Sequence, residues 1–120
     1  MTHVQPALAQ AFSNVIERFD PTVTSVMHGH HEGPTSGPNE DPHYAGRAVD
    51  VGAFGGTIVG MNPQTWSAIT QAIASHEFSK IGTIAAIADN PALQSFAREN
   101  GVELFHDPGT GPHVHFQVGP

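Results

Sequence analysis

The segment that most constrains this fold is Gly111-Pro112-His113-Val114-His115-Phe116-Gln117-Val118, where polar and apolar residues alternate from His113 onward. Successive side chains of a strand point to opposite faces. His113, His115 and Gln117 therefore share one face, and Val114, Phe116 and Val118 share the other. The apolar trio predicts a surface turned to the core. Two imidazoles side by side on the opposite face read either as a solvated polar surface or as a metal or catalytic site.

The rest of the chain supplies elements to surround that strand. Residues 5 to 18 predict a helix with Ala7, Ala11, Val15 and Phe19 along one face, stopped by Asp20-Pro21. Residues 22–27, β-branched and apolar, predict a strand. The stretch 28–42 is rich in Gly, Pro and small polar residues and predicts a loop, which could line a cleft or act as a lid. Residues 46–54 predict a strand trailing into "GGTIVG", read as a bend in the sheet. Asn62-Pro63 has the form of an N-cap with proline at the first helical position. It opens a helix through His76, with Trp66, Ile69, Ala72 and Ile73 at helical spacing. Residues 80–88 predict a buried strand. Asn90-Pro91 repeats the cap, Gly101 closes that helix after Arg98, and 102–105 and 113–118 are the last strands. Trp66 and Phe78 are assigned to the core. The expected fold is α+β: a small, mostly antiparallel sheet flanked by helices, with a candidate site on the sheet face. It forms a single domain over 1–120, divided into an N-terminal helix (1–21) and a core (22–118).

Charge and composition narrow the function. Eleven acidic residues oppose four basic ones (Arg18, Arg47, Lys80, Arg98), for a net charge of −7. Binding nucleic acid by neutralising phosphates needs clustered Lys and Arg, and these four are scattered. No stretch approaches the roughly 18 apolar residues of a membrane span, and "MTHVQPALAQAF" lacks the pattern of a secretory signal peptide. The chain has no cysteine, which excludes disulfides and thiolate chemistry, but it has nine histidines.

Asp50 stands between Val49 and Val51 in "GRAVDVGAF", a carboxylate in an otherwise apolar strand. Buried carboxylates are rare unless paired or bound to metal. Asp50 thus either pairs with Arg47 or a backbone amide, or joins the histidines as a ligand. Two imidazoles and a carboxylate, with water, suit an open tetrahedral zinc site. Elsewhere, His31-Glu32 and His76-Glu77 do not complete the helical H-E-x-x-H pattern, since Thr35 and Lys80 occupy its last position. His3 is read as terminal and His76 as a helix-end residue favoured by the dipole.

"HYAGRAVD" (43–50) matches H-x-x-G-x-A-x-D, and "HVH" (113–115) matches H-x-H. In these residues the chain resembles the zinc D-Ala-D-Ala carboxypeptidase and L-alanyl-D-glutamate endopeptidase family. The wider superfamily includes lysostaphin-type endopeptidases and the hedgehog domain, and the similarity covers roughly residues 22–118. It implies one zinc per chain held by His43, Asp50 and His115, with His113 as the catalytic base. The implied activity is hydrolysis of a peptide bond in bacterial peptidoglycan. The match departs from the family where serine is usual two residues before the first ligand (Asp41) and where an acid is usual three before the last (Pro112). The upstream arginine is also missing, and His28 or His30 would have to replace it. On this reading His106 and Asp107 are partners that fix a ligand's tautomer or simple turn residues, Asp107 is a second candidate for the base, and Arg47 borders the cleft.

Three functions are therefore expected to compete: a zinc peptidase on cell-wall peptides, a metal-binding recognition module of the same fold, and a peptidase on another substrate. The short chain without a signal peptide suggests a phage lysis or tail-associated enzyme, or part of a larger parent protein, acting at the wall after delivery by lysis or a virion.

Overall fold

The computed structural model describes residues 6–25, 48–109 and 111–119. The fold is α+β: one mostly antiparallel sheet with helices packed against its apolar face. The elements are α1 (Pro6–Phe19), β1 (Pro21–Ser25), β2 (Ala48–Phe54), β3 (Thr57–Ile58), α2 (Pro63–Ser75), β4 (Lys80–Thr83), α3 (Ala85–Ala88), α4 (Pro91–Glu99), β5 (Glu103–His106) and β6 (Val114–Gln117). The strand order is β1-β2-β6-β4-β5, with β3 attached to β2. All pairings are antiparallel except β4 with β5.

The alternation in β6 places its residues as expected. Val114 and Phe116 are fully buried in the core, and the Phe116 ring lies 5.1 Å from Phe78, 5.9 Å from Phe12 and 6.4 Å from Phe54. Val49, Val51, Ile81 and Leu104 of the neighbouring strands join it in the same cluster. Helix α1 covers this layer with Leu8, Ala11, Phe12 and Val15, a stripe rotated from the expected one so that Phe12 leads. Phe78 is buried, and Trp66 packs half-buried against the core.

Phe54 would face away from Val49 and Val51 in an unbroken strand. The β1–β2 register pairs Thr22 with Ala53 but Val23 with Val51, leaving Gly52 as an extra residue. Such a bulge reverses the alternation and returns Phe54 to the core.

The helix caps follow the sequence signals. Asn62 accepts from the Thr65 N–H at 2.8 Å and Asn90 from the Leu93 N–H at 3.0 Å, each with proline following. Gly101, at φ 73°, ends α4 with the Val102 N–H donating to the Ala97 carbonyl. His76 terminates α2, as read, and its ring contacts Asn100 Oδ1 at 2.6 Å.

Two expectations are corrected. The strand expected over 80–88 ends at Thr83, and Ala85–Ala88 turns into a short helix. Two adjacent alanines favour helix, and alternation is absent beyond Thr83. The bend at "GGTIVG" is a β2–β3 hairpin: Gly55 and Gly56 have φ of 59° and 82°, the positive pair that a two-residue turn of this hand requires. The 28–42 loop lies outside the described residues.

One row crosses the sheet on the face opposite the core: Asp50 (β2), His115 (β6), Gly82 (β4) and Phe105 (β5) are register partners in turn. Gly82 keeps this row open. A Cβ there would lie 2.6 Å from Phe105 Cζ and 2.9 Å from Asp107 Cβ. We expect Gly82→Ala to lower unfolding free energy by about 1–3 kcal/mol through overpacking, measured by urea denaturation. An unchanged midpoint would show that Phe105 yields freely.

Candidate metal centre

On the polar face of β6 four titratable side chains converge from three parts of the chain. Asp50 comes from β2, His113 and His115 from β6 and its approach, and Asp107 from the turn after β5. Asp50, Asp107 and His113 present donor atoms all within 4.8 Å of one another. His115 Nδ1 lies 3.0 Å from Asp50 Oδ1 and 3.9 Å from Asp107 Oδ2, and His113 Nε2 lies 3.1 Å from Asp107 Oδ2. All four are largely withdrawn from solvent, with side-chain exposures of 9% for His115 and 14% for His113, 20% for Asp50 and 26% for Asp107.

Each imidazole is anchored at its other nitrogen. His113 Nδ1 donates to the Gly111 carbonyl at 2.9 Å, and His115 Nε2 donates to Gln117 Oε1 at 2.9 Å. Both rings thereby turn their second nitrogen inward, toward the carboxylates. Backbone geometry supports these positions. The buried Thr83 hydroxyl donates to the His113 carbonyl at 2.9 Å, and the Asp107 N–H donates to the Thr83 carbonyl at 2.9 Å. The Phe105 ring meets the His115 ring edge-on at 5.9 Å, and Gly109 lies so close that a Cβ would sit 2.6 Å from His113 Cε1.

Without a metal, both ring nitrogens of each histidine face acceptors, an arrangement that favours the protonated ring. Burial, the largest single effect, pushes both pKa values down. For His113 it is outweighed by the bonds to Gly111 and Asp107 and by the charges of Asp50 and Asp107, and the net shift is upward from 6.5. For His115 the bonds to Asp50 and Gln117 and the same two charges likewise raise it above 6.5.

Asp50, Asp107 and His113 form a donor set that could hold a metal ion; His115 falls outside that mutually close group and joins it through its contacts to Asp50 at 3.0 Å and Asp107 at 3.9 Å. Carboxylate and imidazole donors of this kind are ligand types that zinc accepts. A cleft of about 340 Å³ opens beside the centre, lined by Ile84, Ala85, His106, Asp107, Pro108 and Pro112 among others.

Of the residues singled out in the sequence, Asp50, His113, His115 and Asp107 are brought together. His106 is exposed on the cleft wall and is not among the mutually close donors. His43, Arg47, His28 and His30 lie outside the described residues. Asp107 stands among the inward donors, contacting both imidazoles, although "DPGTGP" also reads as turn chemistry. Gln117, Thr83 and Gly82 carried no functional expectation. Gln117 could have been found, because alternation already placed it beside His115. No protein-family model, curated protein or solved structure matches the chain. No helix among the described residues is long and apolar enough to cross a membrane.

The raised imidazole values give the metal-free protein a definite pH response. Their stabilisation is complete below 6.5, the value of an exposed imidazole, and is lost as pH rises through the higher folded values. The urea midpoint of metal-free wild type should therefore fall as pH rises from 6.5, more steeply than in a His113→Gln/His115→Gln variant; parallel slopes would refute the charge assignment. Zinc binding should release protons, because a ligating imidazole must be neutral, read by calorimetry in buffers of different ionisation enthalpy. Asp50→Ala and His115→Ala should each abolish stoichiometric zinc by elemental analysis.

Proposed function

We propose that this protein is a zinc-dependent hydrolase cleaving a peptide bond in bacterial peptidoglycan. The observation that carries the hydrolytic part is the inward convergence of Asp50, Asp107, His113 and His115, with each imidazole anchored at its outer nitrogen. The peptide substrate rests on the likeness of "HYAGRAVD" and "HVH" to the carboxypeptidase and endopeptidase motifs.

On this reading Asp50 and His115 hold the ion together with His43. Zinc bound there supplies Lewis acidity, polarising a substrate carbonyl and acidifying water near neutral pH. Asp107 and His113 handle protons. They share a hydrogen between Oδ2 and Nε2 at 3.1 Å. As the carbon–oxygen bond forms and the carbon–nitrogen bond breaks, the pair accepts a proton from water and returns one to the leaving amine. His113 is then the acid of the pair, because its Nδ1 is committed to Gly111. The cleft beside Asp107 gives substrate an approach.

A second reading has support in the same geometry. In the metal-free site both nitrogens of His113 face acceptors, so the ring is not a free base. That favours a metal-binding recognition module. The two are separated by incubating zinc-loaded protein with purified sacculi and identifying released peptides by mass spectrometry, with His113→Ala as control. We expect new soluble peptides with wild type and at least a hundredfold less with the variant, given the roughly 10²–10⁴-fold worth of general acid–base catalysis. No release from sacculi of several wall chemistries, with zinc still bound, would overturn the peptidase and leave the module.

A further inference from the structure

We infer that Gln117 is a positioning residue that decides which nitrogen of His115 faces the metal, an inference resting on the zinc reading above. Gln117 lies two residues along β6 from His115, hence on the same face, and is 5% exposed. Its register partners are Ala48 on one side and Lys80 on the other, so it occupies the middle of the sheet. A buried amide at such a position is costly unless its polar atoms are used. Here Oε1 sits 2.9 Å from His115 Nε2. A carbonyl oxygen can only accept, so Nε2 must carry hydrogen.

The consequence falls on the other side of the ring. A neutral imidazole has one N–H and one lone pair. With hydrogen fixed on Nε2, the lone pair belongs to Nδ1, the nitrogen 3.0 Å from Asp50 and 3.9 Å from Asp107. Phe105, edge-on at 5.9 Å, borders the ring as well. A leucine at 117 would fill similar volume but leave Nε2 without its acceptor. The ring would then be free to place hydrogen on Nδ1, the tautomer that cannot bind metal at that atom. Outer partners of this kind typically contribute ten- to a hundredfold in metal affinity.

The test uses the whole chain and zinc ion alone. Competition with a chromophoric chelator should show Gln117→Leu binding zinc about ten- to a hundredfold more weakly, while Gln117→Glu, which keeps an acceptor, stays within a few-fold of wild type. Nitrogen-15 spectra of zinc-loaded wild type should show His115 with hydrogen on Nε2 and the metal on Nδ1. A folded Gln117→Leu that binds as tightly as wild type would overturn the inference, and so would spectra placing the hydrogen on Nδ1. The spectra decide the matter even where the leucine variant fails to fold. Absence of zinc uptake by wild type overturns the metal centre itself, and this inference with it.

Discussion

Strand β6 is paired on both edges, to β2 and to β4, and this double pairing governs the rest. A strand held on two sides cannot rotate about its axis, so each side chain is committed to one face. Burial of Val114 and Phe116 among rings from α1, β2 and the segment before β4 therefore fixes His115 and Gln117 on the opposite face. The core and the candidate site are two consequences of one alternation. Displacing one residue in the register would bury imidazoles against Phe12 and expose Phe116.

The second constraint is electrostatic. Two carboxylates whose oxygens lie within 4.8 Å of a common imidazole, largely removed from water, repel each other unless positive charge is close. The fold supplies two imidazoles and turns them inward with two neutral acceptors, the Gly111 carbonyl and Gln117 Oε1. Those acceptors add no charge, so they orient the rings without competing for a cation. On the proposed zinc reading, protons and a divalent metal would be alternative occupants of this space, and metal affinity would depend on pH.

Much of this was legible in the sequence, for identifiable reasons. Alternation over 113–118 and the Asn-Pro caps at 62 and 90 are local signals, and the structure follows them. The placement of Asp50 opposite His115 was only partly legible. Its burial could be argued from Val49 and Val51, but its partner depends on strand order, which no local pattern encodes. The helix at Ala85–Ala88 was lost because "KIGTIAAIA" is continuously apolar, and such runs suit a buried strand and a buried helix alike. The return of Phe54 to the core needed the Gly52 bulge, a long-range register effect. Asp107 was singled out in the sequence as a partner of a ligand histidine, but its place beside both imidazoles depends on the β4–β5 pairing that carries it past Gly82, which no local pattern encodes.

Whether such a centre merely holds an ion or works on a substrate turns on how many donors close around it. Four protein ligands give a shut, structural site, and a catalytic site keeps one position open. The four described donors are not equivalent in this respect. Asp50 and His115 are set on paired strands, and their backbones are locked into the sheet. Asp107 and His113 flank the Pro- and Gly-containing connection from β5 to β6 and are bonded to each other, and Asp107 lines the cleft. Asp107 is also the most exposed of the four. A bond between two donors satisfies both without an ion, so this pair has an alternative to ligation, and it holds that alternative on the side from which a substrate would arrive. On the proposed zinc reading, the open position would fall at Asp107 and His113, and the fixed ligation at Asp50 and His115. Such a division would make proton transfer by the one pair compatible with metal binding by the other.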